Sequence, residues 1–374
     1  MRWGTTAAVA AAGALGAGTA ALVAGRVVSD FAVRPGGASP AAAGGLLVHA
    51  VTGDRIELTR TEATQRPGRY GLDWPDGHAA VGAVAGTTAQ TVTRVLEPAN
   101  SGDGGPPAVG STVRISPLLL TGDPQTALGL PFTALDVDGE LGPMPAWFLP
   151  GARDVCVIAV HGLGADRRQV LPLLPLLDRL KAPVLAVTYR NDEGAPRSPD
   201  GLAHLGDSEW RDVDAAIGFA VDGGARRIVL LGWSVGATMA LQAATRSAHR
   251  SAVRGLVLDS PVLDWRGTVR SQAARRGVPA ALTGLGVRAA EGRSGVDPAE
   301  FDRLARGGGV DAPVLLLHSA DDTVAPVDAA RRLAAGRDDL VVYEEFHGAE
   351  HAALWNVDPE RYEDRLRRFL TPLL

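Results

Sequence analysis

The chain has 374 residues, enough for one large α/β domain plus a smaller unit. It is 46% hydrophobic, which supports a substantial core, and its net charge of −5 argues against nucleic acid as the main partner, which would favour a basic face. A single cysteine, Cys156, excludes an internal disulfide and a cysteine-based zinc cluster, and its apolar surroundings point to packing.

Residues 3–25 carry no charge and are flanked by Arg2 and Arg26. As a helix, about 23 residues would reach roughly 35 Å, enough to cross a bilayer, although their richness in Ala, Gly and Thr makes the hydrophobicity marginal. A membrane anchor is the first reading of residues 1–28, ahead of a cleaved export signal and a disordered leader. That reading makes the membrane a partner and places the rest of the chain outside the cytoplasm. Residues 29–45, dense in Ala, Gly and Pro, read as a linker. Residues 46–120 carry short β-like runs. Those at 46–51 and 55–59 flank Thr52-Gly53-Asp54, a hairpin signal, and 81–85 and 91–96 continue the pattern. A Gly/Pro-rich loop follows at 101–107. This stretch reads as a small β-rich accessory unit with no active-site constellation; its His49 and His78 are surface or packing residues.

The main domain spans residues 130–374. Segments 132–137 and 144–149 open it as an antiparallel pair. Strands at 155–160, 184–189, 228–231, 255–258, 314–317 and 340–343 then alternate with helices near 166–180, 207–221, after Ser234, after Asp264, near 327–335 and over 359–370. Short apolar runs alternating with helices imply an α/β fold with a doubly wound, mostly parallel sheet covered on both faces. Such sheets place their sites at the carboxyl ends of the strands.

The most informative stretch lies at one such end. Gly232-Trp233-Ser234-Val235-Gly236 follows an apolar strand and precedes a helix-forming run, the context of a strained turn that lifts a serine hydroxyl clear of the sheet. A serine hydroxyl is a poor nucleophile at neutral pH and needs a neutral imidazole to take its proton. His351, after the last strand, is the candidate, with His347 as its competitor. The imidazole needs an acid on its other nitrogen. Asp322 is the candidate, with Asp321 and Asp259 as alternatives, and His318 reads as a structural residue of the same turn. Two backbone amides should hold an oxyanion: Val235 N–H, and one from His161-Gly162-Leu163-Gly164, with Leu163 preferred over Gly162.

With these motifs in order, the chain from about residue 132 to its end resembles the alpha/beta-hydrolase superfamily, in a branch similar to serine aminopeptidases and monoglyceride-lipase-like hydrolases, including membrane-anchored actinobacterial members. His161-Gly162 after a strand, the Gly-x-Ser-x-Gly turn, the Asp322 loop with Ala325-Pro326, and His351 carry the likeness. Ala325 and Ser319 depart from the usual Val and Gly without touching the triad. The resemblance implies a serine hydrolase that cleaves a small ester or acyl substrate through an acyl-enzyme, with no cofactor or metal. Peptidase, thioesterase or acyltransferase action with the same residues, and a non-catalytic binding protein on this fold, are the alternatives. Trp233 and Trp265 are candidate pocket residues as well as candidate core residues. Asp192 and Glu193 read first as a solvated loop and second as selectors of a cationic substrate. Residues 265–309 suffice for a small helical lid bearing Arg270, Arg275 and Arg276.

Overall fold

The computed structural model describes residues 45–97 and 105–374. The expected membrane segment, the linker up to residue 44 and most of the 101–107 loop lie outside these residues. The transmembrane expectation is corrected: among the described residues no helix is long and apolar enough to cross a membrane. The longest, Ala280–Ser294, has 15 residues, and at about 1.5 Å per residue it falls short of a ~30 Å hydrocarbon core.

Eight strands form the main sheet: β7 (Thr133–Gly139), β8 (Gly142–Leu149), β9 (Val155–Val160), β10 (Val184–Val187), β11 (Arg227–Trp233), β12 (Val253–Asp259), β13 (Val314–Ser319) and β14 (Val341–Phe346). Their spatial order is β14-β13-β12-β11-β9-β10-β8-β7. The six from β9 onwards pair parallel, and β8 and β7 add antiparallel at one edge. The apolar runs read from the sequence are these strands, and their continuity has a physical cause. On β9, Cys156, Ile158 and Val160 pack into the core on one face, while Val155, Val157 and Ala159 pack into the core on the other. A strand buried on both faces has no polar side to show. Helices Trp210–Asp222, Val235–Arg246 and Val327–Gly336 cover the first face; Leu174–Arg179 and Pro359–Leu370 cover the second. Three helices, Trp265–Arg275, Ala280–Ser294 and Pro298–Leu304, fill the stretch expected to form a small lid.

The N-terminal unit is a closed antiparallel barrel of six strands. They are β1 (Leu46–Thr52), β2 (Arg55–Thr59), β3 (Tyr70–Trp74), β4 (Gly77–Thr87), β5 (Thr91–Glu97) and β6 (Thr112–Ser116). Gly53, at φ 60°, makes the β1–β2 turn. Val48, Ile56, Leu58, Leu72, Val81 and Val113 fill the barrel, and Ala353 of the main domain packs into the same cluster. Arg94 is fully buried, and among the described residues it has no carboxylate partner. Its guanidinium instead donates to the carbonyls of Thr64, Arg66, Gly68 and Gly82 at 2.5–3.1 Å, which organises the 64–68 segment. That segment docks on the main domain. Arg69 N–H donates to Asn356 O at 2.8 Å, and Asn356 Nδ2 returns bonds to Arg69 O at 2.7 Å and Pro117 O at 3.0 Å.

Candidate active site

Ser234 sits between β11 and helix Val235–Arg246 at φ 54°, ψ −119°, a conformation that side-chain-bearing residues rarely adopt. The turn is possible because its flanks are small. A Cβ on Gly232 would meet Gly236 O at 2.5 Å and Ala237 Cα at 2.6 Å, and one on Gly236 would overlap the carbonyls of Val160 and His161. Ser234 N–H donates to Asp259 O at 2.8 Å, tying the turn to the end of β12.

Residues far apart in sequence meet the Ser234 hydroxyl. His351, in the loop after β14, places Nε2 2.6 Å from Ser234 Oγ and Nδ1 2.7 Å from Asp322 Oδ2. With Nδ1–H donating to the carboxylate, the neutral imidazole presents Nε2 as an acceptor to the hydroxyl. The Asp322 carboxylate is fully buried and fixed from several sides. Its Oδ1 accepts the N–H groups of Val324 and Ala325 at 2.8 Å each, and His318 Nε2 lies 3.2 Å from Oδ2. Burial by itself would raise the Asp322 carboxyl. The charge of His351, with hydrogen bonds from His318 and His351, outweighs burial and holds its pKa well below the usual carboxylate range. Burial likewise disfavours the His351 imidazolium, yet Asp322, helped by Asp259 and Glu350, raises its pKa. Asp259 itself does not bond His351. It is fully buried, burial pushes its carboxyl up to about 6, and it accepts the Ser260 hydroxyl at 2.8 Å. Ser260 Oγ in turn accepts Ala352 N–H at 3.2 Å, which braces the His351 loop.

The competing candidates are placed elsewhere. His347 is exposed, and Asp321 accepts Gly348 N–H at 2.7 Å. Asp192 is a structural acceptor for His161 Nε2 and Tyr189 N–H, each at 2.8 Å, and Glu193 is exposed. Gly162 is corrected as an oxyanion donor: its N–H already donates to Gln169 Oε1 at 2.9 Å. The N–H groups of Leu163 and Val235 have no hydrogen-bond acceptor among the described residues, and both residues line one cavity of about 270 Å³. Val235 is free because it opens a helix, where the first amides lack intrahelical partners. Gln169 was not anticipated; it stands between Arg167-Arg168 and an apolar run in a 3-10 turn, and nothing local marks it. Trp233 and Trp265 are also corrected as pocket residues. Both are buried in the core clusters, and neither lines the cavity onto which Ser234 opens.

That cavity, of about 440 Å³, lies between the two units. The main domain contributes Gly162, Leu163, Gln169, Ser234, Arg275, Glu350 and His351 to it. The barrel and its exit contribute Arg66, Tyr70, Arg114, Ser116 and Leu118. The accessory unit showed no active-site constellation in its sequence; in the structure it forms a wall of the cavity.

Residues 157–365, more than half of the chain, match the sequence model of the Alpha/beta hydrolase family. Residues 47–116 match a Domain of unknown function (DUF8805). No curated protein matches. Among solved structures, the Pyrococcus furiosus esterase Pf2001 is similar in three crystal forms. One is 20% identical with a TM-score of 0.55, covering 66% of this chain and 93% of that one. Another is 19% identical with a TM-score of 0.53, covering 66% and 95%. The esterase RhEst1 from Rhodococcus sp. ECU1013 is 19% identical with a TM-score of 0.46, covering 64% of this chain and 99% of that one. At these identities the likeness to Pf2001 is one of fold.

Proposed function

We infer that this chain, which belongs to the alpha/beta hydrolase family, cleaves carboxylic esters through a serine-bound acyl intermediate. One observation carries the reading: Ser234 Oγ, His351 and Asp322 form a continuous hydrogen-bonded relay of 2.6 and 2.7 Å at the carboxyl edge of a parallel sheet. Ser234 attacks the ester carbonyl as His351 Nε2 takes its proton, and Asp322 stabilises the imidazolium that forms. The unpaired N–H groups of Leu163 and Val235 supply donors for the oxyanion. The imidazolium then protonates the departing alcohol. Water, deprotonated by the same histidine, attacks the acyl carbonyl and releases the acid and Ser234.

A fluorophosphonate probe tests the nucleophile. The wild type is expected to label stoichiometrically and Ser234→Ala not at all, with kcat on a simple ester falling by about 10⁴-fold or more. Equal labelling of the two proteins refutes the assignment. Parallel assays on 4-nitrophenyl esters and amino-acid anilides separate ester from amide cleavage.

A further inference from the structure

The barrel wall of the Ser234 cavity carries hydroxyls and a surplus of arginine. Tyr70 and Ser116 both line it, and both hydroxyl oxygens are buried without a hydrogen-bond partner among the described residues. Buried polar groups are nearly always paired, so these two, on residues that line the cavity, are available to a ligand's polar atoms. The charged lining has the same bias, with three arginines, Arg66, Arg114 and Arg275, against two glutamates, Glu62 and Glu350.

Both acids are engaged. Glu350 accepts from Arg66 and from the Thr323 hydroxyl, and from Arg275 at 3.2 Å. Glu62, largely exposed, lies 3.6 Å from Arg66. Arg114 is the cation left over: it is exposed, and among the described residues its side chain has neither an ion pair nor a hydrogen bond, although Asp73 is its backbone neighbour on the adjoining strand. Leu118, Ala63, Ala352 and Ala353 line the same cavity and suit an apolar stem. A cation would be repelled by Arg114 and a neutral head would leave its charge unpaired, whereas an oxyanion both pairs Arg114 and accepts from the two hydroxyls.

We propose that this cavity takes an ester bearing a carboxylate or phosphate, with Arg114 pairing the anion and the Tyr70 and Ser116 hydroxyls donating to it. The barrel then sets the specificity of a hydrolytic site housed in the other unit. The proposal rests on the ester-hydrolase reading above.

Matched substrates test it. Mono-4-nitrophenyl adipate against 4-nitrophenyl heptanoate places the charge on the acyl half, and 4-acetoxybenzoate against 4-methylphenyl acetate places it on the alcohol half. 4-Acetoxyphenyl phosphate, compared with the same neutral acetate, distinguishes phosphate from carboxylate. In the wild type at least one anionic ester should exceed its neutral partner about tenfold in kcat/KM. That ratio should fall towards one in Arg114→Gln, be partly kept in Arg114→Lys, and drop in Tyr70→Phe. Thermal melts establish that each variant is folded. Preference for the neutral ester in every comparison, or an anionic preference that survives Arg114→Gln unchanged, overturns the proposal. Turnover without charge preference also overturns it while leaving ester hydrolysis standing. Absence of both turnover and Ser234 labelling removes the two together.

Discussion

His351 can accept a proton from Ser234 only while its imidazole is neutral, so the pH dependence of the reaction reports the residues around that ring. Asp322 raises the His351 pKa against the opposing effect of burial, with Asp259 adding to it. A raised pKa means that the ring keeps its proton to higher pH. Wild-type kcat/KM should therefore climb with pH through an apparent pKa above the ~6.5 of an ordinary histidine. Asp322→Asn removes the carboxylate that sustains the shift and leaves the burial that opposes it. The residual activity should be about 10³–10⁴-fold lower, with its acid limb displaced to lower pH. Asp259→Asn removes a charge that does not bond the ring and keeps an acceptor for the Ser260 hydroxyl, so it should displace the limb less. Profiles of kcat/KM against pH for the three proteins check this, and a limb that stays in place in Asp322→Asn would assign it to another group.

At the scale of elements, the turn around Ser234 depends on how closely β9 and helix Val235–Arg246 approach. Gly236 lies where a Cβ would run into the carbonyls of Val160 and His161, and backbone atoms of a central strand cannot step aside cheaply. Gly236→Ala should cost about 1–3 kcal/mol of stability, read from urea unfolding, and lower activity by displacing the Val235 and Leu163 amides. Gly284 is the contrast. It lies inside helix Ala280–Ser294 with nothing within 4 Å of an added Cβ, so Gly284→Ala should stabilise by about 0.5–1 kcal/mol. The same elements explain what the sequence disclosed. Strands β9 to β13 were legible because burial on both faces leaves a largely unbroken apolar run, whereas the edge strand β14 showed only its apolar start before Glu344 and Glu345; the positions of Ser234, Asp322 and His351 followed from the strand ends that precede them. In the barrel, β3 and β6 were not picked out. They are short, and no hairpin signal like Thr52-Gly53-Asp54 draws attention to their alternation, which rests on Tyr70, Leu72 and Trp74 in β3 and on Val113 and Ile115 in β6. Barrel closure pairs Leu46 with Val113, a contact that no local pattern announces. Gln169 escaped for a related reason, since its part in ordering the Gly162 loop is one side-chain bond between separate elements. Trp233 was misplaced by neighbourhood. It adjoins Ser234 in sequence, yet its ring packs into the core on the face covered by helix Pro359–Leu370.

Across the whole molecule, the barrel and the hydrolase unit share a boundary that is also a wall of the Ser234 cavity. Its hydrogen bonds converge on Asn356, which is buried and whose side chain satisfies both Arg69 O and Pro117 O. Close by, the Gly68 backbone lies so near Asn356 O that a Cβ there would overlap it. Asn356→Ala leaves the two carbonyls without their donor at a cost of about 1–3 kcal/mol, a penalty that falls on the docked state. If docking stabilises the barrel, its amides should lose protection while the central sheet keeps its own. Hydrogen exchange read by mass spectrometry should thus show faster exchange across Tyr70–Trp74 and Thr112–Ser116 and unchanged exchange across Val155–Val160 and Arg227–Trp233. A barrel that stood by itself would exchange at the same rate in both proteins. The activity consequence differs in kind from that of Asp322→Asn. The relay of Ser234, His351 and Asp322 is anchored entirely within the main domain, so loosening the opposite wall should raise KM far more than it lowers kcat. A fall in kcat with KM unchanged would mean that the barrel supports the relay itself and not the substrate that reaches it.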